Sequence, residues 1–527
     1  MYIYPNSTLY ILHNVNLNKD YDHTIYFPRA DYQQAFFLDS SKIKYQLDNQ
    51  SYMRMERGWL KVNKNQNDLW DCTYIIFKNT SYGSKYFYAF INSVEYINDQ
   101  TSKINFEIDE IQTWWFDYSL EKCFVEREHT LTDNLFENTV DENLDSGDSY
   151  YLSETTSRWL FGNTRLLMIC TASETNTAEE PRLEKNVFTG LRYRTYDLTD
   201  PVGLDLAINK LKTYIANGFE DDVITIMQYP SFIGQLESDV HGYEYADRTF
   251  TPNFTTIDGY TPKNKKLFCF PYNYLSISDK EGSGKEYKWE LWNTISDVGK
   301  FRIEGCGYGK PVVQVVPRNY RSISASFDGL DYDNALIYDN FPICPWAGDS
   351  FQVWLAQNKA TRKNELGWSL FSGGVSIALG LLTQQPATTI RGAQNILGTI
   401  TSQLASKKDK ENIPNKVHGD VSTSLLNIQN ETSGFELKQM TVKAEYAQIL
   451  DEYFSKFGYA CHRIKVPNRY ARTNWTYTKT VGCEITGNLP SDSADKIKSI
   501  YDHGITFWAN GNNIGNYGDF TNGLLSH

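Results

Sequence analysis

Gly282-Ser-Gly-Lys285 offers the backbone N–H groups and the cation that a phosphate cradle needs. The spacing GxxxxGK[ST] is absent, however, no strand is expected to lead into the run and no periodic helix follows it, so a surface turn is expected. Gly305-Cys-Gly-Tyr-Gly309 lacks the GxGxxG spacing, and a bulge or tight hairpin accounts for its glycines. Cys461-His462 is the one Cys/His neighbour pair. Adjacent residues of a strand point to opposite faces, so the two are not expected to share a metal. His129 follows Glu128, but nothing nearby supplies a nucleophile, and a hydrogen-bonded or solvated histidine is the expectation. No GxSxG elbow, HExxH helix or papain-like cysteine context occurs. The chain is therefore expected to be no enzyme, with no catalytic residues, no metal and no cofactor.

The elements that could position such residues follow from the bulk composition. The length of 527 residues exceeds what single cores usually support, so two to four domains are expected. With 41% apolar and 22% charged residues the chain has material for packed cores. Its 37 tyrosines and 28 phenylalanines favour pleated, half-buried strands, which predicts a mainly β protein. The net charge of −13 argues against a protein that grips phosphate backbones. Eight cysteines, Cys72, Cys123, Cys170, Cys269, Cys306, Cys344, Cys461 and Cys483, lie far apart without a CxxC pair. They read as free thiols of a reducing compartment, and the polar, aromatic start from Met1 to Tyr10 does not read as a signal peptide.

Along the chain, Tyr74-Ile-Ile-Phe77, the run from Tyr86 to Tyr96 and the alternation of Ile104, Phe106 and Ile108 with Asn105, Glu107 and Asp109 predict an antiparallel meander. Asn98-Asp99 is its expected hairpin turn. Nine acidic residues face two basic ones between Glu126 and Arg158, and a boundary is placed there. Short apolar runs and turn signals up to about Cys344 fit irregular β structure. Tyr446, Leu450, Tyr453, Phe454 and Phe457 fall on one face of a helix that Gly458 stops. Strands follow over 459–466 and 475–485, then a short helix capped by Ser493, using Ile497, Ile500 and Tyr501 and ended by Gly504. The carboxyl-terminal part is thus α+β.

Residues 366–406 carry one charge, Arg391, where the chain average of 22% gives about nine. The first half, from Trp368 through Leu370, Phe371, Val375, Ile377, Leu379 and Leu381 to Leu382, is apolar and glycine-rich, and Gln384-Gln-Pro386 forms a turn. In the second half Ile390, Ala393, Leu397, Ile400 and Leu404 make one helical stripe, with Lys407, Lys408 and Lys410 at its carboxyl end. The whole reads as a helical hairpin. As helix the first half would span about 23 Å, short of a bilayer core of roughly 30 Å, so a buried core element and a membrane-entering loop both fit.

Four blocks carry a family resemblance: Tyr86-Phe-Tyr-Ala-Phe90; Phe106-Glu-Ile-Asp109 with Gln112-Thr-Trp114 and Phe124-Val-Glu-Arg-Glu-His129; Lys443-Ala-Glu-Tyr446 with Tyr453-Phe-Ser-Lys-Phe-Gly-Tyr459; and Gly504-Ile-Thr-Phe-Trp508 closing on Asn516-Tyr517. In their order and spacing the chain resembles the tail knob, or distal tail tube, proteins of small short-tailed phages of the salasvirus and rountreevirus kind. The middle third matches poorly. The resemblance implies a structural virion tail protein, synthesised in the host cytoplasm, with tail-tube-like β domains built from the N- and C-terminal parts. It further implies a homo-hexameric tube that adjoins a lower collar or proximal tail protein and other tail-tip proteins, and through which linear double-stranded DNA leaves. In such relatives a long apolar loop plugs the tube and is proposed to enter the host cytoplasmic membrane. Here that place falls to Trp368, Leu370, Phe371, Val375, Ile377, Leu379, Leu381, Leu382, Ile390, Leu397, Ile400 and Leu404. The expected division is 1–128 as an N-terminal tube domain, 129–350 as a middle β-rich knob domain, 351–435 as the apolar loop with polar flanks, and 436–527 as a C-terminal tube domain. Two other readings stay open: a receptor-binding role for the middle domain, and a wall-degrading tail enzyme.

Overall fold

A computed structural model describes residues 7–50, 58–80, 83–148, 150–160, 243–306, 312–322, 328–338 and 434–518, with shorter stretches between 164 and 230. The chain forms two units, one of residues 1–148, 255–272 and 442–527, the other of 149–254 and 273–441. Strands dominate both.

In the first unit the period-2 patterns become strands β1 (Ser7–His13), β2 (Thr24–Ile25), β3 (Ile43–Gln50), β4 (Trp59–Val62), β5 (Cys72–Asn79), β6 (Tyr86–Asn98), β7 (Thr101–Ile108), β8 (Tyr118–Leu120) and β9 (Cys123–Glu128). The carboxyl-terminal part adds β10 (Tyr459–Lys465), β11 (Trp475–Val481), β12 (Ile485–Gly487) and β13 (Ile505–Trp508). Among the described residues four α-helices accompany them: α1 (Ala30–Phe37), α2 (Glu110–Trp114), α3 (Ala444–Phe457) and α4 (Ser491–His503). One six-stranded sheet runs in the order β3-β1-β5-β6-β7-β4. β5 is central, and its Tyr74, Ile75, Ile76 and Phe77 are all buried, as a strand covered on both faces requires. On β7, Ser102, Ile104 and Phe106 are buried while the residues between them are not, the single wet face that the alternation predicts. The hairpin turn is Asp99-Gln100, one residue beyond the expected place, because the Asn98 side chain takes the Gln100 N–H at 3.0 Å and leaves Asn98 paired with Thr101.

The second sheet has the order β2-β13-β11-β9-β10, with a parallel β2–β13 pair. Residues 24–25 and 123–128 thus lie in one sheet with residues 459–508, so both ends of the chain build one β assembly. α3 forms where expected, but its buried face is Ala447, Leu450, Asp451, Phe454 and Ser455, whereas Tyr446 is exposed. α4 starts two residues before the expected cap: Pro490 holds φ at −59° ahead of the first turn, and Ser493 lies buried inside that turn.

In the second unit Tyr150–Leu160, Gly434–Thr441, Asn273–Ser278 and Gly284–Tyr287 make one four-stranded sheet. Tyr243–Thr249, Lys300–Cys306, Val312–Pro317 and Leu336–Tyr338 make another, and Leu191–Asp197, Thr164–Thr171 and Val223–Pro230 a three-stranded one. Of Gly282-Ser-Gly-Lys285, Gly282 and Ser283 lie in a hairpin turn, and Gly284 and Lys285 open the strand after it. A strand does lead into it, Asn273–Ser278, contrary to the expectation, and a second strand rather than a helix follows. The Asp279 carboxylate already accepts the Glu281 and Ser283 N–H groups at 2.8 and 2.9 Å, so an anion there would meet a negative charge.

α2 ties the two sheets of the first unit together. The Asp109 carboxylate caps it, accepting the Gln112 N–H at 3.0 Å and the Tyr74 hydroxyl of β5 at 2.8 Å. Gln112 Nε2 donates to the Ile25 carbonyl of β2 at 2.9 Å, and Gln33 Nε2 of α1 donates to the Gln112 carbonyl at 2.8 Å. Burial pushes the Asp109 carboxyl up to about 7, against the two bonds that favour its anion. A raised folded-state pKa means that the folded chain holds a proton which the unfolded chain has released. This contribution is therefore full in acid and is lost as pH rises through about 7. Asp109→Asn keeps the cap and removes the titration. Its melting midpoint should gain on the wild type's as pH is raised from about 5 to about 8, and parallel melting curves across that range would count against the assignment.

Candidate functional site

Asp451 is a charged residue in the middle of the buried stripe of α3, a position that costs several kcal/mol unless its oxygens are occupied. They are. Oδ2 accepts the Tyr260 hydroxyl at 2.7 Å and the Lys263 N–H at 2.9 Å, and Oδ1 accepts the Asn264 N–H at 2.9 Å and Asn264 Nδ2 at 2.8 Å. Residues 260–264, almost 190 positions earlier, are thereby wrapped around one turn of helix. Asn264 is fully used: Nδ2 also reaches Ser455 Oγ at 2.9 Å, while Oδ1 accepts the Tyr459 hydroxyl at 3.0 Å and Arg472 Nη2 at 3.1 Å.

His129 joins the same network. Its Nδ1 accepts the Tyr477 N–H at 2.9 Å, so Nε2 must carry the proton that meets the Ser455 carbonyl at 3.1 Å. Burial first, and then the Arg472 charge, hold the imidazole well below its ordinary range, so the neutral ring is the form present. Both nitrogens are committed to backbone, which leaves neither for proton transfer. The adjacent Glu128 accepts the Asn468 N–H at 3.0 Å and Lys465 Nζ at 2.5 Å.

A second carboxylate completes the arrangement. The fully buried Glu142 accepts Arg127 of β9, Lys266 Nζ at 2.6 Å and the Ala460 N–H of β10 at 2.8 Å. Arg127 Nη1 donates onward to the Gly458 carbonyl at 2.6 Å. Gly458, at φ 68°, closes α3 where a Cβ would stand 2.3 Å from the Glu128 backbone, so only glycine fits between helix and strand. Residues 127–142, 260–266 and 451–477 are therefore held by buried, charge-assisted hydrogen bonds. Because each carboxylate is spent on donors of its own chain, the arrangement clamps segments together and does no acid–base work.

Cys461 and His462 part company at a bulge between Ala460 and Arg463. The thiol lies 3.2 Å from the Val125 carbonyl, and His462, at φ 43°, stacks on Phe124. Among the described residues no group of three or more potential ligands could hold a metal, and no helix is long and apolar enough to cross a membrane. Trp368, Leu370, Phe371, Val375, Ile377, Leu379, Leu381, Leu382, Ile390, Leu397, Ile400 and Leu404 lie outside the described residues. Sequence reasoning missed the Asp451 clamp. The available signal was a polar pair, Asp451 and Ser455, four apart on an otherwise apolar helix face.

Two family models match the chain. Residues 238–520 match the C-terminal domain of the tail knob protein gp9 of Bacillus phage phi29, and residues 5–119 the N-terminus of caudoviral major tail proteins. The chain is 26% identical to the phi29 tail knob protein gp9, across 96% of its own length and 97% of the relative's. The corresponding protein of Bacillus phage B103 is 25% identical, with 94% and 96% covered. Among solved structures, the bacteriophage C1 tail knob protein gp12 has a similar fold, with a TM-score of 0.59, 14% identity, and 97% of this chain and 98% of that one covered.

Replacing Asp451 by alanine removes the acceptor of the Tyr260 hydroxyl and of the Lys263 and Asn264 backbone N–H groups. We expect a loss of about 3–5 kcal/mol in urea unfolding, with early proteolysis near residue 260. Asp451→Asn, which keeps the acceptor Oδ1, should lose less, and equal losses from the two variants would contradict the clamp.

Proposed function

The chain belongs to the family of the phi29 tail knob protein gp9, a structural component of the virion tail of short-tailed phages, and on that premise we propose that it assembles into a homo-hexameric tube through which linear double-stranded DNA leaves the particle. It is a structural protein and no enzyme. The observation that carries the rest of the reading is the charge-depleted segment 366–406, which falls inside the matched family region 238–520. A stretch with one charge in 41 residues meets what lipid demands of a surface that enters it. In this reading six such segments plug the lumen, and at ejection they enter the host cytoplasmic membrane through Trp368, Leu370, Phe371, Val375, Ile377, Leu379, Leu381 and Leu382 in the first half and Ile390, Leu397, Ile400 and Leu404 in the second.

Two features favour a ring. Both outer strands of the six-stranded sheet, β3 and β4, have no second strand neighbour among the described residues, and copies arranged in a ring would cover such edges. The net charge of −13 per chain suits a lumen that repels passing DNA. One end of the tube would adjoin the lower collar or proximal tail protein and the other the remaining tail-tip proteins. A second reading, host-receptor contact through the middle of the chain, is favoured by residues 120–237, which neither matched family model covers.

Virions whose knob lacks residues 368–404 separate these roles. We expect intact tails that adsorb normally and fail to deliver DNA, scored by micrographs, adsorption counts and intracellular phage DNA. Normal delivery from the deleted tails would refute the plug, and six-fold rings missing from micrographs of the purified chain would refute the hexamer.

A further inference from the structure

Two of the cysteines scattered through the sequence meet in the fold. Cys123 opens β9, and Cys483 lies two residues beyond β11. These strands pair with Phe124 opposite Val481, and past the cysteines the Glu121 N–H meets the Glu484 carbonyl at 2.8 Å before Leu120 pairs with Ile485. One register therefore runs on both sides of the pair and sets Cys123 against Gly482. Gly482, at φ 66°, breaks the strand alternation, so that Cys483 turns inward to the side on which Cys123 is buried. Both thiols are buried, at 5% and 3% exposure, but only beneath a surface turn: Glu121, Lys122, Phe124, Val481, Gly482 and Glu484 around them are exposed.

We propose that Cys123 and Cys483 are an oxidisable dithiol that stays reduced in the cytoplasm and closes into a disulfide once the virion is released, fastening β9 to the turn between β11 and β12. Each sulfur gives up its hydrogen and one S–S bond forms. Dioxygen takes both protons and both electrons and leaves as hydrogen peroxide. Directly opposed Cα atoms of an antiparallel pair stand about 4.5–5.5 Å apart, and the one-residue offset from Gly482 to Cys483 keeps the expected separation inside the span of about 4.4–6.8 Å that a disulfide needs. Burial holds both thiols above their ordinary range, Cys483 up to about 12, and the Asp502 and Glu484 carboxylates oppose the thiolate further. Closure is therefore slow at neutral pH and speeds up roughly tenfold per pH unit. The bond would link positions 123 and 483 across most of the chain, a long loop of the kind for which cross-linking is expected to stabilise most.

The test is a peptide map of purified virions, alkylated without reductant and digested. The expected result is a linked peptide pair carrying Cys123 and Cys483, released by dithiothreitol. Recovery of both residues as alkylated thiols overturns the proposal, and so does pairing of either with another cysteine. For the consequence, the purified full chain is treated with diamide, whose N=N bond becomes a hydrazine as the disulfide forms. Its unfolding midpoint should rise by several degrees and fall back on reduction. Cys483→Ser should abolish that shift and Cys461→Ser should retain it, and a shift that survives in Cys483→Ser would also overturn the proposal.

Discussion

The arrangement of the first unit depends on satisfying one buried carboxylate. Asp451 sits in the apolar stripe of α3, and its four acceptor contacts come from Tyr260, Lys263 and Asn264, residues of a segment with little regular structure of its own. Without those donors the helix would bury an unpaired charge. Without the helix, the segment would bury unpaired N–H groups. Each is costly alone and acceptable together, so the two fold as one piece. Ser455 and Asn264 extend the logic to Arg472, His129 and Tyr459, and Glu142 repeats it with Arg127 and Lys266. Buried polar networks of this kind select one arrangement among many, because every misfit leaves a group without a partner.

What could be read from the sequence was local. The β5–β6–β7 meander follows from period-2 alternation and short turns, and α3 from helical spacing with a glycine stop, because the same few residues both encode and form them. The orientation of α3 was less legible. Counting apolar residues turns Tyr446 inward, whereas the buried face includes Asp451 and Ser455, whose partners lie about 190 positions away. A polar residue on a helix is read as solvent-facing unless its partner is known. The start of α4 slipped for a different reason, since Pro490, with φ held at −59°, takes the N-cap position and Ser493 only resembles a cap. Within the candidate site, His129 was legible as a hydrogen-bonded histidine, but nothing nearby in sequence identified its acceptor, the Ser455 carbonyl.

α2 shows how much a five-residue helix can organise. Its cap, Asp109, reaches β5, its Gln112 reaches β2 and α1, and Thr113 accepts the Tyr88 N–H of β6 at 3.1 Å. The block Phe106-Glu-Ile-Asp109 with Gln112-Thr-Trp114 is therefore a joint between sheets. Asp109, Gln112 and Thr113 are buried because each meets a strand that it fixes in place.

The parallel pairing of β2 with β13 has a consequence for biosynthesis. Residues 24–25 leave the ribosome about 480 residues ahead of their neighbour, 505–508. At ordinary elongation rates of about 5–20 residues per second the early strand waits roughly 25–100 s. Through that interval β9 and β2 lack the strands that lie between them, and the amino-terminal third has an unfinished sheet beside a finished one. Closure of this sheet thus reports on synthesis of its last strand: a product that stops short of residue 505 leaves β2 and β11 without the strand between them, and it would enter particle assembly at a disadvantage.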